Sequence, residues 1–282
     1  MRRVTRILRA AALVAVLFFF LFPVYWLVTT AFKPQDDWFS WPPVFIPFRL
    51  TLDNFTGGGG PAYGATVGSI EGIGPYLRNS VIIATTVAAV STILSALAAY
   101  AISRFKVGGL GFAGWIISIR MLPPIATVLP LYLVFVALRL VNTWWAVILV
   151  HLTFTTSFST WVLISFFNDV PRELDEAAYV DGAGILSAFF RVILPLSAPG
   201  LAAVATLSFI QSWGEFLLAL VLTNSNQAQT LPIFLGRYIT GFRVAWGPLA
   251  AAGLITMIPV VTFSFIMLRY LIRGLTFGAV KG

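Results

Sequence analysis

Four of the ten carboxylates in this chain, Glu173, Asp175, Glu176 and Asp181, crowd into one polar island at residues 173–195, set between two long apolar runs. Asp169 or Val170 is placed to cap a short helix there, with Pro171 near its first turn and Glu173 close to the positive end of its dipole. Leu174, Ala177 and Ala178 then share one face at helical spacing, and the small alanines let another surface approach closely. Gly182 supplies the permissive backbone needed to end that helix and turn. A second helical turn carries Phe189, and Leu194-Pro195 leads into the next apolar run. The expected unit is a helix–turn–helix presenting an apolar and acidic face. Such a face either docks a partner protein or packs on the inner leaflet of a membrane. An anionic leaflet is a poor match for acids, which favours docking.

A second set of candidates lies within the apolar runs themselves. An ionisable side chain in such a run is costly and is a functional candidate by default. Arg120 falls about ten residues into its run, ~15 Å from the start at helical rise. Glu215 lies in the opposite half of another. Either they line a path and hydrogen-bond a polar solute, or they neutralise each other as a structural pair. Trp213 is suited to stacking on the flat face of a solute or to packing, and His151 reads as a packed polar residue. Asn79, Gln211, Thr155 and Thr156 could add hydroxyl partners.

The elements that must position these residues follow from composition. Hydrophobic residues make up 59% of the 282 and charged residues only 10%, with mean hydropathy +0.92. Soluble domains carry about 25% charged residues, so this is an integral membrane chain, and because lipid offers backbone groups no partner its spans must be helices, making it all-α. The net charge of +8 lies at the ends of apolar runs and marks membrane orientation, not nucleic-acid binding. Without cysteine there is no disulfide or thiolate site, and a single histidine cannot form a multi-His metal centre. No phosphate-cradling Gly-x-x-x-x-Gly-Lys-Ser/Thr run is present. No catalytic residue, metal site or cofactor is therefore assigned to this chain.

A spanning helix needs ~20 predominantly apolar residues, and six segments qualify: 8–31, 77–102, 110–137, 146–167, 198–222 and 248–271. One transmembrane domain over residues 1–282 is expected, with kinks at Pro23, Pro123, Pro124, Pro130 and Pro259. Eleven basic residues (Arg2, Arg3, Arg6, Arg9, Arg104, Lys106, Arg172, Arg191, Arg269, Arg273, Lys281) face six (Lys33, Arg49, Arg78, Arg139, Arg237, Arg243) across the membrane. That bias puts both termini and the polar island, within a loop at about 168–197, in the cytoplasm. The first run is too long for a signal-peptide h-region of about 7–15 residues and is expected to stay as a span. Two opposite-side loops are large: 32–76, with Trp38, Trp41 and the Gly57-Gly58-Gly59-Gly60 run, and 223–247, with Asn224-Ser225-Asn226-Gln227 and Trp246. Either suits a binding protein or is a plain connector.

The island resembles the cytoplasmic loop of bacterial ABC importer permeases, which reads Glu-Ala-Ala, three residues, Gly, nine residues, Ile, one residue, Leu-Pro. Glu176-Ala177-Ala178, Gly182 and Leu194-Pro195 fall in register, and Val192 replaces the usual Ile. Gly274-Leu275-Thr276 with Val280-Lys281-Gly282, Asn79-Ser80, Met121-Leu122-Pro123 and Trp213-Gly214-Glu215-Phe216 look like the maltose-type sugar permeases, and like the second permease of the pair. In the last motif Gly214 stands where Asn is usual. The resemblance implies a type I ABC importer permease architecture of six transmembrane helices in the bacterial cytoplasmic membrane. It implies import of a sugar, polyol or glycoside, and a loop (Glu176, Ala177, Ala178, Asp181, Gly182, Phe189, Leu194, Pro195) that inserts into the ATPase. The implied partners are a second permease, two ATP-binding subunits holding ATP and Mg, and an extracytoplasmic solute-binding protein. The alternative is an ion-coupled secondary transporter relaying through Arg120 and Glu215. It would call for several intramembrane acids and an internal repeat, and the chain offers one acid and no repeat.

Overall fold

The computed structural model describes residues 2–56, 70, 72–241 and 243–278. The helices are α1 (Arg2–Phe32), α2 (Asp53–Thr56), α3 (Ile73–Phe105), α4 (Gly109–Ser118), α5 (Pro124–Ala137), α6 (Trp144–Asn168) and α7 (Glu173–Val180). After them come α8 (Ile185–Ala188), α9 (Leu194–Leu196), α10 (Ala198–Trp213), α11 (Leu217–Leu222), α12 (Leu231–Gly236) and α13 (Trp246–Gly278). Among the described residues the only β-pairing is an isolated antiparallel bridge, Ile239 to Val244. The glycine run at 57–60 and the final Val280-Lys281-Gly282 lie outside the described residues.

Four helices are long and apolar enough to cross a membrane alone, and up to six segments qualify if each of two bent helix pairs counts as one span. The third expected span, 110–137, is not one kinked helix. Its two arms, Gly111–Met121 and Pro124–Ala137, meet at 92°. Pro123 has no N–H to continue the ladder and forces the residue before it into extended backbone; Leu122 has φ −70° and ψ 122°. At ~1.5 Å per residue neither arm alone crosses a ~30 Å hydrocarbon core. By contrast α1, α5 and α13 run on through Pro23, Pro130 and Pro259. The fifth span also differs from expectation. Its helix ends at Trp213 and restarts at Leu217.

The chain divides into two compact units, residues 1–74 with 234–258 and residues 75–233 with 259–282. In the first, Asn54 Nδ2 donates to the carbonyls of Ala31 and Lys33, both at 2.9 Å. Lys33 is 1% exposed, with its Nζ 4.0 Å from the centre of the Trp26 ring. Burial pulls its ammonium below the usual lysine range, against the opposing pull of Asp37.

In the second unit, α3, α6 and α10 pack through small residues. Ser95 Oγ donates to the Thr156 carbonyl at 3.1 Å, and Ser159 and Ser208 share a hydrogen bond at 3.0 Å. Because lipid is as apolar as leucine, membrane helices associate through such close, hydrogen-bonded contacts. Gly200 shows how close: a Cβ there would lie 2.6 Å from the Phe166 ring. Gly200→Val is therefore expected to cost about 1–3 kcal/mol by overpacking. Gly253→Ala, whose methyl meets Leu27 at an ordinary 3.5 Å, should be neutral or slightly stabilising. Thermal unfolding of the detergent-solubilised protein checks both.

Candidate functional site

The polar island folds as a helix–turn–helix. α7 begins after Arg172 with no side-chain cap, so neither Asp169 nor Val170 serves as its N-cap. It ends in a Schellman turn: Gly182 N–H donates to Tyr179 O at 3.0 Å and Ala183 N–H to Ala178 O at 2.9 Å. Gly182 has φ +81°, a conformation glycine adopts without strain. Glu173, Glu176, Ala177 and Asp181 are exposed, as are Leu174, Val180, Ile185 and Leu186. Together they make an apolar and acidic surface on this chain. Phe189 is not part of it. It is buried with Ile193, Leu163, Phe167 and Tyr100, and Leu194 packs against that cluster. Pro195 is exposed just before Ser197, where the chain bends 79° into α10.

Sequence reading left Asp175 without a role, and here it is the root of the element. It is 5% exposed, and its Oδ2 lies 2.8 Å from Arg104 Nε at the end of α3. Tyr100 donates to Asp175 Oδ1 at 3.3 Å, Arg104 to the Val170 carbonyl at 2.9 Å, and Arg172 to the Ser103 carbonyl at 3.1 Å. The available signal was Arg104 closing one apolar run and an acid one position before Glu176. Sequence alone did not join them across 71 residues.

The intramembrane candidates divide. Arg120, Gln211, Glu215, His151 and Thr155 line one cavity of about 270 Å3, together with Ser212, Phe154, Leu122, Pro124 and Leu218. Arg120 and Glu215 do not pair. Arg120 donates to Gln211 Oε1 at 2.6 Å, with its guanidinium 4.9 Å from the Phe158 ring centre. Glu215 Oε2 meets His151 Nε2 at 3.2 Å, and His151 Nδ1 meets Ser212 at 2.8 Å. Glu215 also accepts from the backbone N–H groups of Leu218 (2.8 Å) and Ala219 (3.0 Å). It thus satisfies two donors at the start of α11 that have no helical partner. Trp213 and Asn79 lie away from this cavity. Trp213 is buried and stacked on Phe209 at 5.4 Å. Asn79 donates to the carbonyls of Asn226 and Gln229, each at 2.9 Å, and accepts from Trp144 at 3.1 Å.

Both interruptions, at Leu122–Pro123 and at Gly214–Phe216, thus meet the same space. Non-helical backbone at membrane depth is tolerated where it is buried in protein or lines a cavity. Broken helices around a polar cavity are how many transporters build a solute site. The geometry defines a membrane transport subunit.

Comparison with known proteins agrees. Residues 91–277 match the family described as "Binding-protein-dependent transport system inner membrane component", and the chain belongs to that family. A trehalose/maltose transport permease of Thermococcus litoralis is 34% identical over 93% of this chain and 92% of its own. A trehalose permease of Mycobacterium tuberculosis is 38% identical over 93% of each, and a diacetylchitobiose uptake permease of Streptomyces coelicolor is 33% identical over 93% and 92%. The maltose-type resemblance read from the sequence therefore stands. A crystallised bacterial ABC transporter that imports the acidic polysaccharide alginate shares the fold, with TM-score 0.71 at 20% identity over 95% of this chain and 96% of that one.

Arg104→Ala strands a buried Asp175 and is expected to cost roughly 3–5 kcal/mol. Arg104→Ala combined with Asp175→Ala should recover part of it. Gly182→Ala should cost about 1–2 kcal/mol through its left-handed backbone. Thermal melts of the assembled complex test all three.

Proposed function

We propose that this chain is a permease subunit of an ATP-driven importer of a sugar, polyol or glycoside, forming half of the translocation pathway. The observation that carries the reading is the convergence of two interrupted spans on one polar cavity. The cavity offers donors and acceptors from Arg120, Gln211, His151 and Thr155 beside the Phe154 ring, a set that suits hydroxyl-rich solutes. Its volume of about 270 Å3 falls just below the ~300–1,000 Å3 usual for ligand pockets. That fits a site completed by a second permease. The relatives named for trehalose, maltose and diacetylchitobiose support the substrate class.

With both termini in the cytoplasm, α7 and α8 face the ATPase. Glu176, Ala177, Ala178, Asp181 and Gly182 then form the docking surface, while Phe189 and Leu194 seat it on the spans and Pro195 stays exposed at the bend into α10. Two ATP-binding subunits supply ATP, Mg and the hydrolytic chemistry. An extracytoplasmic solute-binding protein delivers the solute. The bacterial cytoplasmic membrane is the setting.

Purified alone, the chain should hydrolyse no ATP, whereas the assembled complex should. Glu176→Lys reverses charge on the docking surface and should abolish uptake and weaken co-purification of the ATPase, with the spans still inserted. Normal uptake by this variant would refute the docking assignment.

A further inference from the structure

The two ends of α3 grip two segments on opposite sides of the membrane. At one end Tyr100, Ser103 and Arg104 hold α7 and the turn before it, through the buried ion pair to Asp175 and the bonds to Val170 and from Arg172. At the other, Asn79 donates to the carbonyls of Asn226 and Gln229, and Ser80 Oγ accepts from Leu231 N–H at 2.7 Å. Between these grips α3 is a single unbroken helix with no glycine or proline after Pro75. The 25 residues from Asn79 to Arg104 span roughly 38 Å, enough to cross the hydrocarbon core of about 30 Å. The third and fifth spans are interrupted, and an interrupted helix bends where it is interrupted instead of passing on an axial or tilting displacement. α3 carries no such break.

We propose that α3 is the transmission rod of this subunit. Displacement of α7 by the ATPase moves the Arg104 end, and the Asn79–Ser80 end delivers that movement to residues 226–231 on the extracytoplasmic side. Arg104 and Asp175 at one end, and Asn79 at the other, are its positioning residues. The proposal rests on the docking role of α7 given above. A rival tie runs to α6, also unbroken, and the turn before it: Trp144 Nε1 donates to the Gln227 carbonyl at 2.9 Å, and the Asn142 side chain accepts from the N–H groups of Asn224 and Ser225, both at 3.1 Å. Cutting the Arg104 end leaves that tie intact.

The chain has no native cysteine, so Gln227→Cys, at an exposed position, takes a single nitroxide label. The complex is trapped with Mg–ATP and orthovanadate, and the label's spectrum is compared before and after. In the otherwise unaltered chain, trapping should shift the spectrum. In Arg104→Ala with Asp175→Ala, which strands no charge, nucleotide should still be trapped but the shift should vanish. Asn79→Ala should lose it as well. If the double variant does not assemble, Arg104→Lys keeps Asp175 paired but gives up the second bond to Val170, and the shift must shrink. A full shift in the double variant, or in Arg104→Lys, overturns the rod. So does a trapped unaltered complex that gives no shift. Failure of the docking role is read separately: Glu176→Lys would then retain the ATPase and trap nucleotide normally.

Discussion

In hydrocarbon a backbone N–H or C=O with no partner costs several kcal/mol, and this chain is organised around that penalty. Most of its length avoids the cost by staying helical. Where the helix stops, at Leu122–Pro123 and after Trp213, something must replace the lost ladder. Glu215 does so at the second break by accepting from Leu218 and Ala219. The same carboxylate meets His151, and His151 meets Ser212, so the repair of a helix end also builds the wall of the cavity. Helix repair and cavity lining share one side chain.

The other half of the design lies at the membrane surface, where α7 is too short to be stable by itself. Isolated helices under about 12–15 residues are marginal in water, and α7 has eight. It persists because Asp175 is drawn into the Arg104 end of α3 and because Phe189 packs beneath it on Tyr100, with ring centres 4.8 Å apart. Anchoring by one buried acid leaves Glu173, Glu176 and Asp181 free to face outward. The acid that holds thus sits directly beside Glu176, an acid that stays exposed.

Much of this was legible in the residues. Apolar run lengths marked the four long apolar helices, and Gly182 announced a turn that the backbone at φ +81° realises. The right-angle bend at 122–123 was underread as a kink. Two consecutive prolines at membrane depth do more than tilt a helix, because Pro123 also restricts the backbone of Leu122. Partner choice was the part that could not be read. Asn79 and Arg120 are both polar residues set in apolar runs, yet one ties down residues 226–229 and the other opens into the cavity. Which neighbour a buried polar group finds is decided by tertiary packing, and no spacing within one helix encodes it.

The bonding of Glu215 has an electrical consequence. Its negative charge is committed to His151 and to the amide dipoles opening α11, whereas the Arg120 guanidinium is held by a neutral amide. The cavity therefore presents a guanidinium that no carboxylate pairs among the described residues, a group that repels protons and metal ions where it lines a pore. A transporter driven by ATP gains nothing from the membrane potential and loses if it drains it. On the proposed path, Arg120 sets a fixed positive charge against cation leak.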